Sequence, residues 1–368
     1  MANDITNNYS RVFQLIYEQD KISKQEIAIQ LNLSLPTVTH NLKLLMNNDL
    51  IRNDGKFKSQ VGRRAVAYSV YARKRVCLGL EMFKNYVTIT AIDLKGTEIA
   101  SDKLLLDYSN DDNYFQQLAT WIKSFATDCG LVDDQVIGLG VGIQGLISYD
   151  RTTVLYGKIL DCTGLKTARF EQFLPYKVSF FHDADCVAYA EHGKSDDHKD
   201  TIYLSIGEHL GTAIMINDRI YSGEQGRSGT MEHVTFVANS DRLCYCGRHG
   251  CVETYVSISS LLHDDENLND FMASLAQNKA NRARWETYLD YLAEAINNFH
   301  MFLDNRIVVA GELLQFINDQ TLAQLKERIA NLTAFPEDRP YLRLGSVLNH
   351  PVATGAAIPL MESFIESV

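Results

Sequence analysis

Over the first seventy residues, apolar positions recur at helical spacing in three short runs and then at strand spacing in two. Val12, Phe13, Leu15 and Ile16 give one face of a helix over residues 8–20. In the next segment, Ile22-Ser23-Lys24-Gln25-Glu26, Ser23 and Glu26 stand at capping-box spacing, and Ile27, Ala28 and Leu31 supply the apolar face of a second helix. Asn32-Leu33 predicts a tight turn. Ser34 is suited to the N-cap of a third helix with Pro36 in its first turn, where an amide proton has no helical partner to lose. Val38, Leu42 and Leu45 face inward along that helix, which should end near Asn47-Asn48-Asp49. Leu50-Ile51-Arg52 then reads as a strand, Asn53-Asp54-Gly55 as a turn and Val66–Val70 as the returning strand. Three short helices followed by a hairpin predict a winged helix-turn-helix over residues 1–72.

From about Arg75 the pattern changes. Residues 76–82, 87–94 and 137–143 read as strands, and 114–125 as a helix. Strands follow at 177–181, 201–206 and 212–216. A long amphipathic helix over 285–303 leads into a strand at 306–310, and a last strand at 341–347 precedes a terminal helix. This is an α/β architecture with mixed sheets. No internal repeat or low-complexity linker is visible. The most loop-like stretch, 192–200, marks the expected junction between two lobes, 73–191 and 192–351, with the terminal helix 352–368 expected to return to the first.

Composition adds little until charge is located. Of 368 residues, 46% are hydrophobic and 22% charged, an ordinary globular balance. Nothing in the apolar runs is long enough for a membrane span. Met1-Ala2-Asn3-Asp4 shows no basic and apolar leader, so the expected compartment is the cytoplasm. Residues 1–75 carry twelve Lys and Arg against six Asp and Glu, whereas the whole chain has a net charge of −11. A basic head on an acidic body fits a head that meets a polyanion. In a helix-turn-helix the second helix enters the major groove of DNA, which nominates Pro36, Thr37, Thr39, His40 and Lys43. Lys56, Lys58, Arg63 and Arg64 cluster on the wing, and Gly62-Arg63-Arg64 is suited to minor-groove insertion.

Cysteine usage is uneven. Cys77, Cys129, Cys162 and Cys186 are scattered, but Cys244, Cys246 and Cys251 are clustered and follow His233. Three thiols and an imidazole form a closed tetrahedral donor set, so one structural zinc ion per chain is expected on His233, Cys244, Cys246 and Cys251. Gly247 and Gly250 would let the loop bend around it.

At Cys244-Tyr-Cys-Gly-Arg-His-Gly-Cys-Val-Glu253 the chain resembles the ROK family (repressors, open reading frames and sugar kinases), with its pattern CxCGxxGCxE. More specifically, it is similar to the family's DNA-binding sugar regulators. His233 falls at the His of the family's ExGH element, and Gly223, Gly226 and Gly229 match the spaced glycines before it. His182-Asp183-Ala184-Asp185 occupies the family's Asn-Asp-x-Asn position, and Gly62-Arg63-Arg64 resembles the wing of the repressor branch. The resemblance implies a two-lobed actin-like (ribonuclease H-like) sugar kinase fold behind the winged helix. It also implies a sugar cleft between the lobes and a homodimer or higher homo-oligomer. Asp183 takes the position of the kinases' general base, and His233 and Glu253 take positions that contact sugar hydroxyls. Thr230 stands where the ExGH element has its glutamate, and Glu232 where it has glycine.

The phosphate elements depart from the family. Its Asp-x-Gly-x-Thr is here Glu81-Met82-Phe83-Lys84-Asn85. Its Gly-Thr-Gly-x-Gly-Gly-Gly is Gly207-Glu208-His209-Leu210-Gly211-Thr212-Ala213, and its adenosine-side turn is Ala310-Gly311-Glu312. Phosphoryl transfer requires backbone amides brought against the phosphates. Phe83 is too bulky for such an approach and Glu208 would repel the anion. The expectation is therefore a regulator without kinase activity: a sugar-responsive repressor of a carbohydrate-utilisation operon, binding operator DNA and released by a sugar or sugar phosphate. Two alternatives stay open on sequence alone, an active ATP-dependent sugar kinase with a DNA-binding appendage and a regulator controlled by a protein partner.

Overall fold

The computed structural model describes residues 2–57, 65–195, 197–335 and 339–368, with backbone alone over 2–7. The head consists of α1 (Ala2–Glu18), β1 (Ile22–Ser23), α2 (Lys24–Leu31), α3 (Leu35–Asn47), β2 (Ile51–Lys56) and β3 (Val66–Val70), with β3 between β1 and β2. Its caps form as the pattern requires. Ser23 and Glu26 make both bonds of a capping box, Asn32 closes α2 in the left-handed conformation (φ 54°), and Ser34 accepts the Thr37 amide at the start of α3. Val12, Phe13, Ile16, Ile27, Val38, Leu42 and Leu45 fill the small core.

One sequence expectation is corrected. Asn53-Asp54-Gly55 is not the hairpin turn. It lies within β2, where the register with β3 shifts between Asn53 and Lys56. The Asn53 carboxamide accepts the Gly55 amide, which produces a local bulge and not a reversal. Strand pairing continues to Phe57, whose amide donates to the Ala65 carbonyl, and residues 58–64 lie outside the described residues.

The body contains two sheets of the same plan. In the first, β4 (Val76–Met82), β5 (Tyr86–Asp93) and β6 (Glu98–Leu105) form an antiparallel meander, and β7 (Val136–Ile143) and β10 (Val178–His182) add in parallel to give the order β10-β7-β4-β5-β6. Between β6 and β10 come α4 (Asp112–Asp128), β8 (Leu146–Ile147), β9 (Val154–Tyr156) and α5 (Ala168–Glu171), and α6 (Asp183–His192) follows β10 directly. The second meander is β11 (Thr201–Ile206), β12 (Leu210–Ile216) and β13 (Arg219–Ile220). It is extended in parallel by β14 (Arg306–Ala310) and β15 (Leu342–Leu344), in the order β13-β12-β11-β14-β15. Helices α7 (Glu253–Val256), α8 (Ile258–Leu261), α9 (Leu268–Ser274), α10 (Lys279–Leu303) and α11 (Asp319–Leu332) cover that lobe, and α12 (Pro351–Ser367) closes the chain.

Helix α12 lies against the first sheet at unusually short range. A methyl group added to Gly79 on β4 would sit 1.7 Å from the Ala353 carbonyl oxygen, and one added to Gly140 on β7 would sit 1.9 Å from that of Ala356. Gly355 makes the same kind of approach to Cys186 on α6. Three glycines thus bring the backbones of α12, the sheet and α6 together. The other side of α12 meets the head. Ala357, Ile358, Met361 and Ile365 share one apolar cluster with Val12, Phe13 and Ile16. Gln14 donates to the Ile365 carbonyl at 2.8 Å and Ser10 to that of Val368 at 2.9 Å.

Candidate functional site

A cavity of about 480 Å³ opens between the lobes. The first lobe contributes Gln144 just after β7, Tyr156 and Lys158 from the β9 region, His182 from the end of β10 and Asp183 from the start of α6. The second contributes His209, Arg227, Thr230, Glu232 and His233, with Tyr245 from the cysteine loop. A parallel strand feeding a helix delivers residues at its carboxyl end into such a crevice, and β10 leading into α6 does so for His182 and Asp183.

The cavity floor is electrostatically dense. Asp183 lies 3.3 Å from His182 Nε2. Burial lifts the Asp183 carboxyl above its usual range, while His182 and the Ala184 amide oppose the shift. Burial by itself would pull His182 down, but Asp185, Asp183 and Glu232 outweigh it and hold the imidazole up at about 10. The floor therefore carries an imidazolium between carboxyl groups. Burial also pushes Glu232 up to about 7. His182 and the Thr212 hydroxyl oppose that shift. Thr212 Oγ1 receives the Met231 amide at 2.7 Å, bonds the Gly229 carbonyl and lies 2.5 Å from Glu232 Oε2.

Three of the four sugar-contact candidates, Asp183, Thr230 and His233, line this cavity. Glu253 does not. Its two oxygens accept His209 Nδ1 at 2.7 Å and the Leu210 amide at 2.6 Å. It stands behind the wall and holds His209, which reaches the cavity in its place. Burial lowers His209, but the bond and charge of Glu253 more than offset this and raise it.

His233, Cys244, Cys246 and Cys251 converge beside the cavity, each offering one ligand atom, all within 4.8 Å of one another. Cys246 and Cys251 sulfurs lie 3.8 Å apart, and Cys244 Sγ lies 3.6 Å from His233 Nδ1. Two sulfurs each ~2.3 Å from a tetrahedral zinc are ~3.8 Å apart. The donor set and its spacing fit such an ion. Gly247 and Gly250 take left-handed φ values of 86° and 71°, which a side chain would resist, and they let the loop fold around the cluster. With Nδ1 turned to the thiols, His233 keeps Nε2 on the side of Glu232, 4.0 Å from its carboxylate.

On the head, Pro36, Thr39, His40 and Lys43 lie exposed along one face of α3, and Thr37 is half-buried. Thr37 Oγ1 pairs with Ser34 and Thr39 Oγ1 donates to the Leu35 carbonyl, so both hydroxyls already have partners within the helix. Arg63 and Arg64 fall outside the described residues.

Comparison with known proteins decides the lineage. The profile of the ROK family matches residues 77–362, and that of a winged helix-turn-helix DNA-binding domain matches residues 10–52. The chain belongs to the ROK family. The DNA-binding transcriptional dual regulator NagC of Escherichia coli (strain K12) is 27% identical to it over 377 residues, covering 95% of this chain and 91% of that protein. The xylose repressor of Bacillus subtilis (strain 168) is 28% identical over 263 residues, 69% of this chain and 67% of the repressor. In structure it is similar to a ROK family transcriptional regulator described as a homolog of E. coli MLC, with TM-score 0.78, 20% identity and coverage of 98% and 96%. It is also similar to a ROK family glucokinase from Streptomyces griseus in complex with glucose and AMPPNP, with TM-score 0.67, 18% identity and coverage of 77% and 98%.

Several cavity residues carry no signal of that role in the sequence. His182 and His209 lie within the family's sequence elements, but nothing in the spacing shows that their rings face a cavity. Gln144, Tyr156, Lys158 and Arg227 carry no motif and reach the cleft only through chain folding. A larger cavity of about 970 Å³ lies on the far side of Asp183, lined by Glu81, Phe83, Tyr86, Lys103, Glu208, Gly311 and Glu312 among others. Phe83 and Tyr86 stack there at 4.2 Å, and Lys103 Nζ sits 3.6 Å over the Tyr86 ring. Among the described residues, no helix is long and apolar enough to cross a membrane.

Proposed function

We propose that this ROK protein is a sugar-responsive transcriptional repressor of carbohydrate-utilisation genes, released from its operator when a sugar or sugar phosphate enters the cavity at Asp183. One observation carries the proposal. The helix-turn-helix is packed through α12 onto the same sheet and helix that present His182 and Asp183. Ligand affinity that differs between two lobe arrangements would then be felt at the head, which is the thermodynamic requirement for control. The names of the relatives, an N-acetylglucosamine repressor and xylose repressors, support a carbohydrate effector. The cavity supplies what a polyol needs: carboxyl, amide, imidazole and guanidinium groups around two tyrosine rings.

In this proposal Asp183, Thr230 and His233 contact the sugar directly and Glu253 acts by fixing His209. The Cys3His cluster holds one structural zinc that ties the loop 233–251 to the cavity wall. A homodimer or higher homo-oligomer places two α3 helices in successive major grooves. No phosphoryl transfer is expected. Glu208 and Glu312 project into the cavity that a nucleotide would enter, and negative charge there repels polyphosphate.

A gel-shift titration against a panel of sugars and sugar phosphates tests the proposal. One of them should lower operator affinity, and Asp183→Asn should blunt the response while leaving sugar-free binding intact. Indifference of operator binding to every compound refutes control by a sugar and points to a protein partner. Sugar-dependent ADP release that is lost in Asp183→Asn would make the protein a kinase instead.

A further inference from the structure

At the opposite end of α6 from Asp183, three side chains bring one ligand atom each to a common point. His192 Nε2 lies 2.7 Å from Asp218 Oδ1 and 3.1 Å from His198 Nδ1, and His198 Nδ1 lies 3.3 Å from the same oxygen. Protons satisfy this triangle only with crowding. A ring nitrogen offers either one N–H or one lone pair, never both. A closed cycle of three hydrogen bonds would need one nitrogen to donate and accept at once. If both nitrogens carry protons and donate to Asp218 Oδ1, two positively charged rings are held with their donor nitrogens 3.1 Å apart. A single cation at the centre satisfies all three lone pairs together. N and O ligands ~2.0–2.1 Å from a tetrahedral zinc stand ~3.3–3.4 Å apart, which the His198–Asp218 side already meets, while the His192–Asp218 side would open by roughly 0.6 Å.

The surroundings hold the triangle in place. His192 is buried, and its other nitrogen faces the Tyr203 hydroxyl at 3.3 Å, a second contact that fixes which edge of the ring points outward. Asp218 sits with Asn217 in the β12–β13 turn, both in left-handed conformation, and the Asn217 amide is held by Asp200 at 2.8 Å. The segment carrying His198 is tied down by Asp197, whose carboxylate accepts from Arg306 Nη1 and Nη2 at 2.5 and 2.6 Å. The carboxyl end of α6 also favours positive charge.

We propose that His192, His198 and Asp218 form a second metal site, for one divalent ion of the zinc type, with the remaining coordination position open to water. Two imidazoles and a carboxylate suit such an ion and would not suit calcium or magnesium, which take oxygen ligands. The site is separate from the Cys3His cluster and carries no sulfur. It joins α6 of the first lobe, the segment between the lobes and a hairpin of the second, and so fixes the lobe junction when filled.

Metal analysis of the full-length protein equilibrated with zinc, then freed of excess, tests this. The wild type should retain about two ions per chain, and His198→Gln and Asp218→Asn should each retain about one. Both altered side chains are more than half exposed, at 56% and 61%, so folding is not at stake. Cobalt(II) separates the two sites: filling the second should add ligand-field bands without added thiolate-to-metal charge transfer. Added zinc should raise the melting temperature of the wild type and leave that of both variants unmoved. A single ion in the wild type, or a second ion retained in either variant, overturns the proposal.

Discussion

Glu81 projects from β4 into the space between the lobes. Burial, followed by the charge of Asp183, pushes its carboxyl up to about 8, against the weaker opposing effects of Thr88 and Lys103. The folded protein therefore holds this proton to higher pH than the unfolded chain, whose glutamate releases it near 4.5. The contribution to stability is fully present below that lower value and is lost as pH rises toward 8. Denaturant midpoints measured across this window should fall with pH in the wild type, and Glu81→Gln should flatten that slope. The sequence placed Glu81 in a phosphate element but could not show its burial, which comes from neighbours on β5 and α6. Cys246 presents the reverse case. Its spacing from Cys244 and Cys251 already specified the cluster, because thiolate chemistry depends on a short local loop. Cys246→Ser should lower the retained zinc and the melting temperature together, as measured by metal analysis and calorimetry.

Helix α12 depends on backbone contacts that only glycine permits. Gly355→Ala would drive a methyl group to 1.7 Å from the Cys186 carbonyl oxygen, so α12 and α6 must separate. Loss of about 1–3 kcal/mol is expected, the usual scale for overpacking, read as a shifted denaturation midpoint. The elements that sequence periodicity revealed are those with one strongly buried face, such as α3 with Val38, Leu42 and Leu45, and α10 with Leu289, Leu292 and Ile296. Strand β6 escaped notice. It is the edge of its sheet, and Glu98, Ser101, Asp102 and Lys103 are exposed along it, so it shows little alternation to detect. The bulge in β2 escaped for a related reason. Asn53-Asp54-Gly55 has turn composition, and only the pairing with β3 shows that the strand runs through it.

Across the whole molecule, head and body share a core. Ile365 on α12 is 6% exposed and belongs to the apolar cluster that includes Phe13 and Ile16 of α1. Ile365→Ala should cost about 2–5 kcal/mol of packing, concentrated at this junction. Limited proteolysis should then release the head at lower protease concentration, and a sugar that weakens operator binding in the wild type should weaken it less in the variant. The two lobes repeat one strand plan, a three-stranded meander with two parallel strands added, although the sequence shows no repeat. Different side chains can fill the same sheet geometry, so the repetition is recorded in topology and not in residue identity. By itself the sequence determined the caps and apolar faces of the head, the alternation of strands and helices, and the Cys3His cluster. These depend on residues close together in the chain, where spacing is geometry. Only the tertiary structure decided that Glu253 stands behind His209, that Lys158 and Arg227 both line the cleft, that His198 and Asp218 converge on His192, and that α12 joins head to body. Each of these brings together residues distant in sequence, and no local periodicity records which of them will be neighbours once the chain is packed.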